Sequence, residues 1–464
     1  MKILVTGATG FVGKKLCQEL FLDGHELVIL SRDAAKAKLD LALPATYLTW
    51  KPSGLIPENK SINEVEAVIN LMGENLASGR WTADKKQRIK DSRVEGTQNL
   101  VASLDKQLER PLKAFISYSA IGYYPLTSGQ ESFDESSPNG HGFLANVCSA
   151  WEEKALAMSK TERTVILRVG AVLGRGGGAV AKLLPIFKLG LGGPIGNGQQ
   201  MMSWIHLSDL LSLTKKTLTD TSMTGVYNAV APKPVTNKEF SKTLSAVLKK
   251  PCMLPVPPLA LKMAYGEMST VILDSQAVVS SRLPETGFSY QYGDLKEALS
   301  EAAGLAPIGL AGENVVCDQF ESFQFIDKRI DQVYDFFAKP DNLSAITPPY
   351  LDFHILKVSD KQVQKDTLID YKLKLHGLPI RWKTLIKEWE PGYQFVDFQL
   401  KGPYRYWHHR HIFLEVPGGT AIIDRVDYRL PLGVLGGLVA GRFVKKDVTG
   451  IFDYRREAID RLIV

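Results

Sequence analysis

The feature that most constrains this chain stands at its start: an apolar run from Lys2 to Thr6 ends in TGATGFVG and passes straight into a helical pattern over Gly13 to Leu22. Glycines at this turn let the backbone bend tightly between strand and helix and approach a bulky anion, whose charge rests on the free N–H groups of the helix N-terminus. The spacing is GxxGxxG rather than the commoner GxGxxG. Its place between a first strand and a helix predicts a dinucleotide site formed by Gly7, Ala8, Thr9, Gly10, Phe11, Val12 and Gly13. The second apolar run, Glu26 to Ser31, is followed by Arg32. A carboxylate there would bond the ribose 2′-hydroxyl of NAD, whereas an arginine pairs with the 2′-phosphate of NADP. Ser31 and Arg32 therefore favour NADP(H), with Asp33 one step further as the feature that argues against it.

At 464 residues the chain is too long for one hydrophobic core, and two or three domains are expected. Up to about residue 230, short buried-type runs alternate with helical patterns, the reading of an α/β domain with a parallel sheet. The expected strands are Lys2 to Thr6, Glu26 to Ser31, Ala67 to Met72, Ala114 to Tyr118 and Thr164 to Val169. A proline-marked stretch, 231–300, reads as a small lobe that completes a first domain of residues 1–300. Residues 301–316, rich in Gly and Ala, read as a linker. In the second domain, 317–464, the pattern changes to period two over Phe320 to Asp327, Thr367 to Leu375, Trp382 to Glu390, Tyr393 to Lys401, His408 to Val416 and Thr420 to Leu430. A last run, Phe443 to Val464, sets Val444, Val448, Ile451, Phe452, Ala458, Ile459 and Leu462 on one helical stripe. The expected architecture is a Rossmann-type doubly wound parallel sheet followed by an α+β domain whose sheet wraps a helix.

Composition removes several classes. With 45% apolar and 23% charged residues the chain is neither disordered nor collagen-like. No apolar run approaches the roughly 20 residues of a membrane span, and no export signal opens the chain, so the expected address is the cytoplasm. The four cysteines, Cys17, Cys148, Cys252 and Cys317, show no CxxC spacing and encode neither a zinc site nor a disulfide framework. The net charge of +6 is spread along the chain, which suits an anionic cofactor and gives no case for nucleic acid. The oligomeric state is left open.

VINLMGENL (68–76), SYSAIGYY (117–124), LRVGAVLG (167–174) and WIHLSDL (204–210) follow the glycine turn in the order found in extended short-chain dehydrogenases/reductases, and the first 300 residues resemble that family. RWT (80–82), SRVEGT (92–97) and CSAWE (148–152) resemble its atypical, epimerase-family branch. The resemblance implies that Leu71, Met72 and Gly73 flank the adenosine and phosphates, that Ser117 lies among the cofactor-binding residues, and that Arg168, Val169 and Gly170 approach the nicotinamide. The family's chemistry uses a Ser or Thr, a Tyr and a Lys. Ser119 matches the serine, but counting back from Glu152 puts Leu144 and Cys148 at the Tyr and Lys positions. An alkane moves no proton, and a thiol with a reference pKa of about 8.5 supplies no fixed positive charge. A replacement would come from Tyr123, Tyr124, Cys148, His206 or Glu74, each more often structural than catalytic. Tyr123 and Tyr124, just beyond Ser119 at the carboxyl end of a strand, are the favoured pair. His206 is expected to brace a helix with Asp209. Arg80, Trp81 and Arg93 suit either an anionic substrate or a solvated helix face.

The second domain resembles the START-like (SRPBCC) helix-grip family, which includes polyketide cyclases and hydrophobic-ligand carriers. That implies an apolar cavity and a hydrophobic ligand. In GPYRYWHHRH (402–411), Trp407, His409 and His411 share one strand face, and Tyr406, His408 and Arg410 the other. His409 and His411 have the spacing of two metal ligands, but with no third ligand evident no metal is expected and both read as cavity lining. Pro431 to Arg442 reads as a flexible lid. The whole reads as an NADP(H)-binding oxidoreductase or epimerase acting on an apolar small molecule captured by the second domain, or as a catalytically silent NADP(H)-responsive module.

Overall fold

The computed structural model describes residues 1–127, 131–253, 255–307, 313–431 and 433–463. They form two units, Met1–Ala303 and Gly304–Val464.

The first unit is built on a parallel sheet of β1 (Lys2–Thr6), β2 (Glu26–Ser31), β3 (Thr46–Thr49), β4 (Ala67–Asn70), β5 (Ala114–Ala120), β6 (Thr164–Val169) and β7 (Gly225–Ala229), in the order β7-β6-β5-β4-β1-β2-β3. The five central strands are the expected ones. The two edges, TYLT and GVYNA, are too short and too polar to read as buried runs, and an edge strand needs less apolar surface than a central one. Chain order reverses between β1 and β4, which makes the crevice beyond these two strand ends the place where such sheets bind ligands. The helices that matter here are α1 (Phe11–Leu22), α2 (Ala34–Leu41), α3 (Ala83–Gln107), α4 (Phe143–Leu156), α5 (Leu207–Thr219) and α6 (Leu295–Ala302). Leu100, Val101 and Leu104 of α3 pack with Leu4, Val28, Val68 and Ile166 of the sheet, all of them buried.

The stretch expected as a linker carries regular structure. Glu301 and Ala302 end α6, and Leu305–Pro307 pairs antiparallel with Asn314–Val316 at the start of the second unit. Residues 308–312 lie outside the described residues.

The second unit is an antiparallel sheet of β8 (Asp318–Ile326), β9 (His354–Val358), β10 (Leu368–Leu375), β11 (Leu378–Glu390), β12 (Gln394–Lys401), β13 (Tyr406–Val416) and β14 (Gly419–Arg429), in the order β8-β14-β13-β12-β11-β10-β9. Only β9 was unexpected; HILKV is an edge strand with exposed residues on both sides. The final helix, α7 (Gly433–Leu462), buries Val448 and Phe452 against Val426 and Tyr428, and Ala458 and Ile459 against Ile326 and Phe413. Leu462, the last residue of the expected stripe, is exposed. The expected lid is instead the opening of this helix from Gly433 onward. Glycine reads as a breaker in isolation, but turns added to an existing helix pay no nucleation cost. Phe452→Ala should lower the unfolding free energy of the second unit by about 3–5 kcal/mol in urea titrations of the full chain; a loss below about 1 kcal/mol would show that α7 is not gripped as described.

Candidate functional site

The glycine turn is built as its sequence demands. Gly7 has φ +68°, and a side chain there would stand 2.7 Å from the Leu71 carbonyl oxygen at the end of β4. A Cβ on Gly13 would overlap the Gly7 carbonyl oxygen, so α1 and the turn close on each other only with glycine at both positions. The Gly10 N–H donates to Gly7 O at 3.0 Å, and α1 starts with no side-chain cap. The amides of Phe11, Val12 and Gly13 therefore have no intrahelical acceptor, and they are the donors a pyrophosphate requires. Ala8 is buried and Thr9 exposed, while the Phe11 ring packs against Gly174 and Gly177. Beneath the turn, Thr6 Oγ1 donates to Asn70 Oδ1 at 2.7 Å, and Asn70 Nδ2 donates to Thr97 Oγ1 at 3.0 Å and Ser117 Oγ at 3.1 Å. This network locks the ends of β1, β4 and β5 to α3. Within it Ser117 is buried in the sheet, and the Met72 side chain packs in the core.

The end of β2 separates the competing readings of the ribose site. Asp33 caps α2, its carboxylate accepting from the Lys36 amide at 2.9 Å, and Ser31 Oγ accepts from the Asp33 amide at 3.2 Å. The carboxylate is thus used locally, and Arg32 is exposed. Glu74 pairs with Lys85 at 2.6 Å, and its carboxyl is held below the usual range by Lys85 first and by Arg88 and Arg32 in addition. Arg93 lies over Gly73, 2.8 Å from where a side chain would begin, and donates to the carbonyls of Glu74 and Ile89 at 3.1 and 3.2 Å. Residues 73–74 thus carry a rim of cations that suits phosphate oxygens, and Glu74 is an ion-pair partner within it.

At the expected proton relay, Leu144 and Cys148 lie one turn apart on α4. A Cβ at Gly122 would meet Leu144 Cβ at 3.4 Å and Cys148 Sγ at 3.8 Å. Leu144 belongs to an apolar wall with Trp81, Phe143, Met268 and Ile272. Burial pushes the Cys148 thiol up to about 12, with Glu152 adding to the effect, so it is no thiolate at neutral pH. Ser119 Oγ donates to Glu152 Oε1 at 2.6 Å, and Arg168 donates through Nε and Nη2 to the same carboxylate at 2.9 and 2.8 Å. Arg168 Nη1 donates to the Tyr124 hydroxyl at 2.8 Å, which in turn donates to Asn228 Oδ1 at 2.8 Å. The Arg168 guanidinium also stacks on the Tyr123 ring at 3.4 Å. Burial works against the Arg168 charge, but Glu152 and Tyr124 outweigh it; burial likewise raises the Tyr124 phenol.

The Arg168 side chain is buried and held by Glu152 and Tyr124, and Tyr124 is 1% exposed with its hydroxyl already bonded to Arg168 and Asn228. Tyr123 is half-buried, and no hydrogen bond to its hydroxyl is found among the described residues. Val169 ends β6 and Gly170 follows it, its amide donating to Ala229 O at 3.1 Å. His206 caps α5, its Nδ1 accepting from the Ser208 amide at 3.2 Å and its Nε2 lying 2.9 Å from Glu301. Asp209 instead accepts the amides of Gln291 and Tyr292 at 2.6 and 3.1 Å. Arg80 donates to Met263 O and Trp81 to Leu76 O, both structural contacts.

The second unit encloses a cavity of about 180 Å³ lined mainly by apolar side chains, among them Phe337, Leu351, Ile369, Trp382 and Phe452. Trp407, His409 and His411 share that lining, as the strand alternation requires. Asp397, which sequence reasoning missed, stands directly opposite His409 across the β12–β13 pair.

The model of the NAD dependent epimerase/dehydratase family matches residues 3–229, that of a domain of unknown function matches 256–302, and that of polyketide cyclase / dehydrase and lipid transport matches 326–451. The epimerase family protein SDR39U1 of Homo sapiens is 36% identical over 305 residues, 65% of this chain and 99% of that protein. The chain belongs to the SDR39U1-type epimerase family. An Arabidopsis thaliana SDR39U1 homolog, chloroplastic by name, is 40% identical over 304 residues, 64% of this chain and 86% of that protein. The crystal structure of human SDR39U1 (isoform 2) with NADPH matches with a TM-score of 0.58 at 35% identity, covering 65% of this chain and 99% of that one. All three matches cover about the first two thirds of this chain, so the polyketide cyclase-like unit is an addition to what the SDR39U1-type relatives share. Among the described residues no helix is long and apolar enough to cross a membrane.

Within the SDR39U1-type unit, Glu152→Ala leaves Arg168 buried without its counter-charge and should cost about 3–5 kcal/mol in chemical denaturation. Combining it with Arg168→Met should recover a substantial part of that loss; a single variant as stable as wild type would contradict the ion pair.

Proposed function

We propose that the chain is an NADP(H)-binding protein whose nucleotide occupancy, rather than the proton relay of the short-chain dehydrogenases, is its output, and whose second unit holds an apolar small molecule. The observation that carries this reading is the closed network of Ser119, Glu152, Arg168, Tyr124 and Asn228, which uses up the polar groups beside the expected nicotinamide position. Gly7, Gly10 and Gly13 with the first amides of α1 would hold the pyrophosphate, Leu71 and Gly73 would flank the adenosine side, and Ser31 and Arg32 would take the 2′-phosphate. The NADPH of the human SDR39U1 crystal supports that assignment. When bound, a nicotinamide supplies or accepts hydride at its C4. At the two positions whose residues exchange the accompanying proton in the wider family, this chain has Leu144 and Cys148. The cytoplasmic address expected from the sequence stays part of the proposal.

A second reading, reduction or epimerisation of the apolar molecule, is favoured by one observation. The Tyr123 hydroxyl is uncommitted among the described residues while its ring lies against the Arg168 cation. Incubation with NADPH and a panel of apolar carbonyl compounds separates the two readings. Saturable binding without nucleotide oxidation is expected, whereas oxidation abolished by Tyr123→Phe would replace the first reading with the second. Arg32→Ala should weaken NADPH binding about tenfold or more and leave NADH nearly unchanged, one lost charged contact being worth about 1.5–3 kcal/mol; equal losses for both nucleotides would overturn the 2′-phosphate assignment.

A further inference from the structure

The cavity of the second unit is lined mainly by apolar side chains, with Lys339, Asn342, Thr384 and Arg455 among its polar ones, and it holds one cluster of imidazoles and carboxylates. There β12, β13 and β14 bring together Asp397, His409, His411 and Asp424, with Asp397 opposite His409 and Asp424 opposite His411 in the register. His409 and His411 are 3% and 2% exposed. His409 Nδ1 and His411 Nε2 both lie 3.2 Å from the same oxygen, Asp397 Oδ2, and the three donor atoms fall within 4.8 Å of one another. On the far side Asp424 Oδ1 accepts from His409 Nε2 at 3.0 Å. The same oxygen stands 2.7 Å from His411 Nδ1 but off the hydrogen-bond direction, so that buried nitrogen has no properly aligned partner.

This is a division of labour. A carboxylate that takes the N–H of an imidazole leaves the ring's other nitrogen as a bare lone pair, and metal-binding histidines are oriented in this way by a second carboxylate. Where His409 gives its Nε2–H to Asp424, its Nδ1 faces Asp397 Oδ2 as a lone pair, and His411 Nε2 converges on the same oxygen at hydrogen-bonding distance. Protons on His409 Nδ1 and His411 Nε2 fill these contacts as hydrogen bonds, and a cation in their place is held by all three atoms. Two of the three separations, 3.2 Å each, are close to the edge of a tetrahedral site, about 3.3 Å for bonds of about 2.0–2.1 Å, and the third lies within 4.8 Å. Asp397, His409 and His411 line the cavity, whereas Asp424 lies behind them.

We propose that Asp397, His409 and His411 bind one divalent transition-metal ion of the zinc or iron(II) class, with Asp424 orienting His409. Two imidazoles and one carboxylate are the donor set such ions take when a coordination position stays open. That position faces the cavity, where it would take an oxygen atom of the apolar ligand; this last clause rests on the ligand-binding reading above, and the metal site itself does not.

The test uses the full chain, stripped with a chelator and titrated with Co(II) and then Zn(II). One Co(II) per chain is expected, with visible bands free of thiolate charge transfer and displaced by Zn(II). Asp397→Asn and His411→Gln should each weaken Zn(II) binding about 100-fold or more and leave NADPH binding unchanged. Failure of the wild-type chain to take up a stoichiometric equivalent at millimolar Co(II), a thiolate spectrum, or equal affinity in folded variants would each overturn the site. Should a variant fail to fold, the wild-type stoichiometry and spectrum decide. Native mass spectrometry of the untreated protein reads the apolar cargo separately, so loss of the metal proposal and loss of the cargo reading are told apart.

Discussion

The buried ion pair between Glu152 and Arg168 is the constraint on which the chemistry of the first unit turns. Two charges removed from water are costly unless every lone pair and proton is satisfied, and a pair that loses one partner is worse than no pair. Here Ser119, Tyr124 and Asn228 supply the remaining bonds, so Ser119, which matches the family's serine, is bonded to the buried carboxylate. Leu144 and Cys148 agree with this arrangement: an apolar side chain and a buried, protonated thiol are what the neighbouring interior tolerates. In the proposed reading the glycine turn serves the nucleotide, while the positions of the family's proton relay are filled by packing residues.

Much of this was legible in the residues. TGATGFVG fixes a strand, a turn and a helix start because few other structures need glycine at Gly7 and Gly13, and the period-two runs of the second unit map onto six of its seven strands. The replacement of the Tyr–Lys pair was also readable, since it depends only on which residue types stand at two positions. What was not readable was direction. Arg168 was expected as a cofactor contact and Tyr124 as a proton donor, and only the packing of α4 against β5 and β6 shows that Arg168 is bonded to Glu152 and Tyr124 to Arg168 and Asn228. Asp33 looked like an NAD determinant until its role as the cap of α2 was seen. The edge strands β3, β7 and β9 escaped because an edge needs little apolar surface.

The second unit teaches the same lesson from the other side. His409 and His411 share a face by strand alternation alone, but their carboxylate partners come from β12 and β14 and are paired with them only by register. Cross-strand neighbours are not encoded in local sequence. The result is a mainly apolar cavity that carries a cluster of imidazoles and carboxylates in its wall.

The glycine turn of this chain should hold a phosphorylated dinucleotide. Isothermal titration of NADPH into the purified protein should give a saturable isotherm with one nucleotide per chain. No measurable heat and no saturation at millimolar NADPH would contradict it.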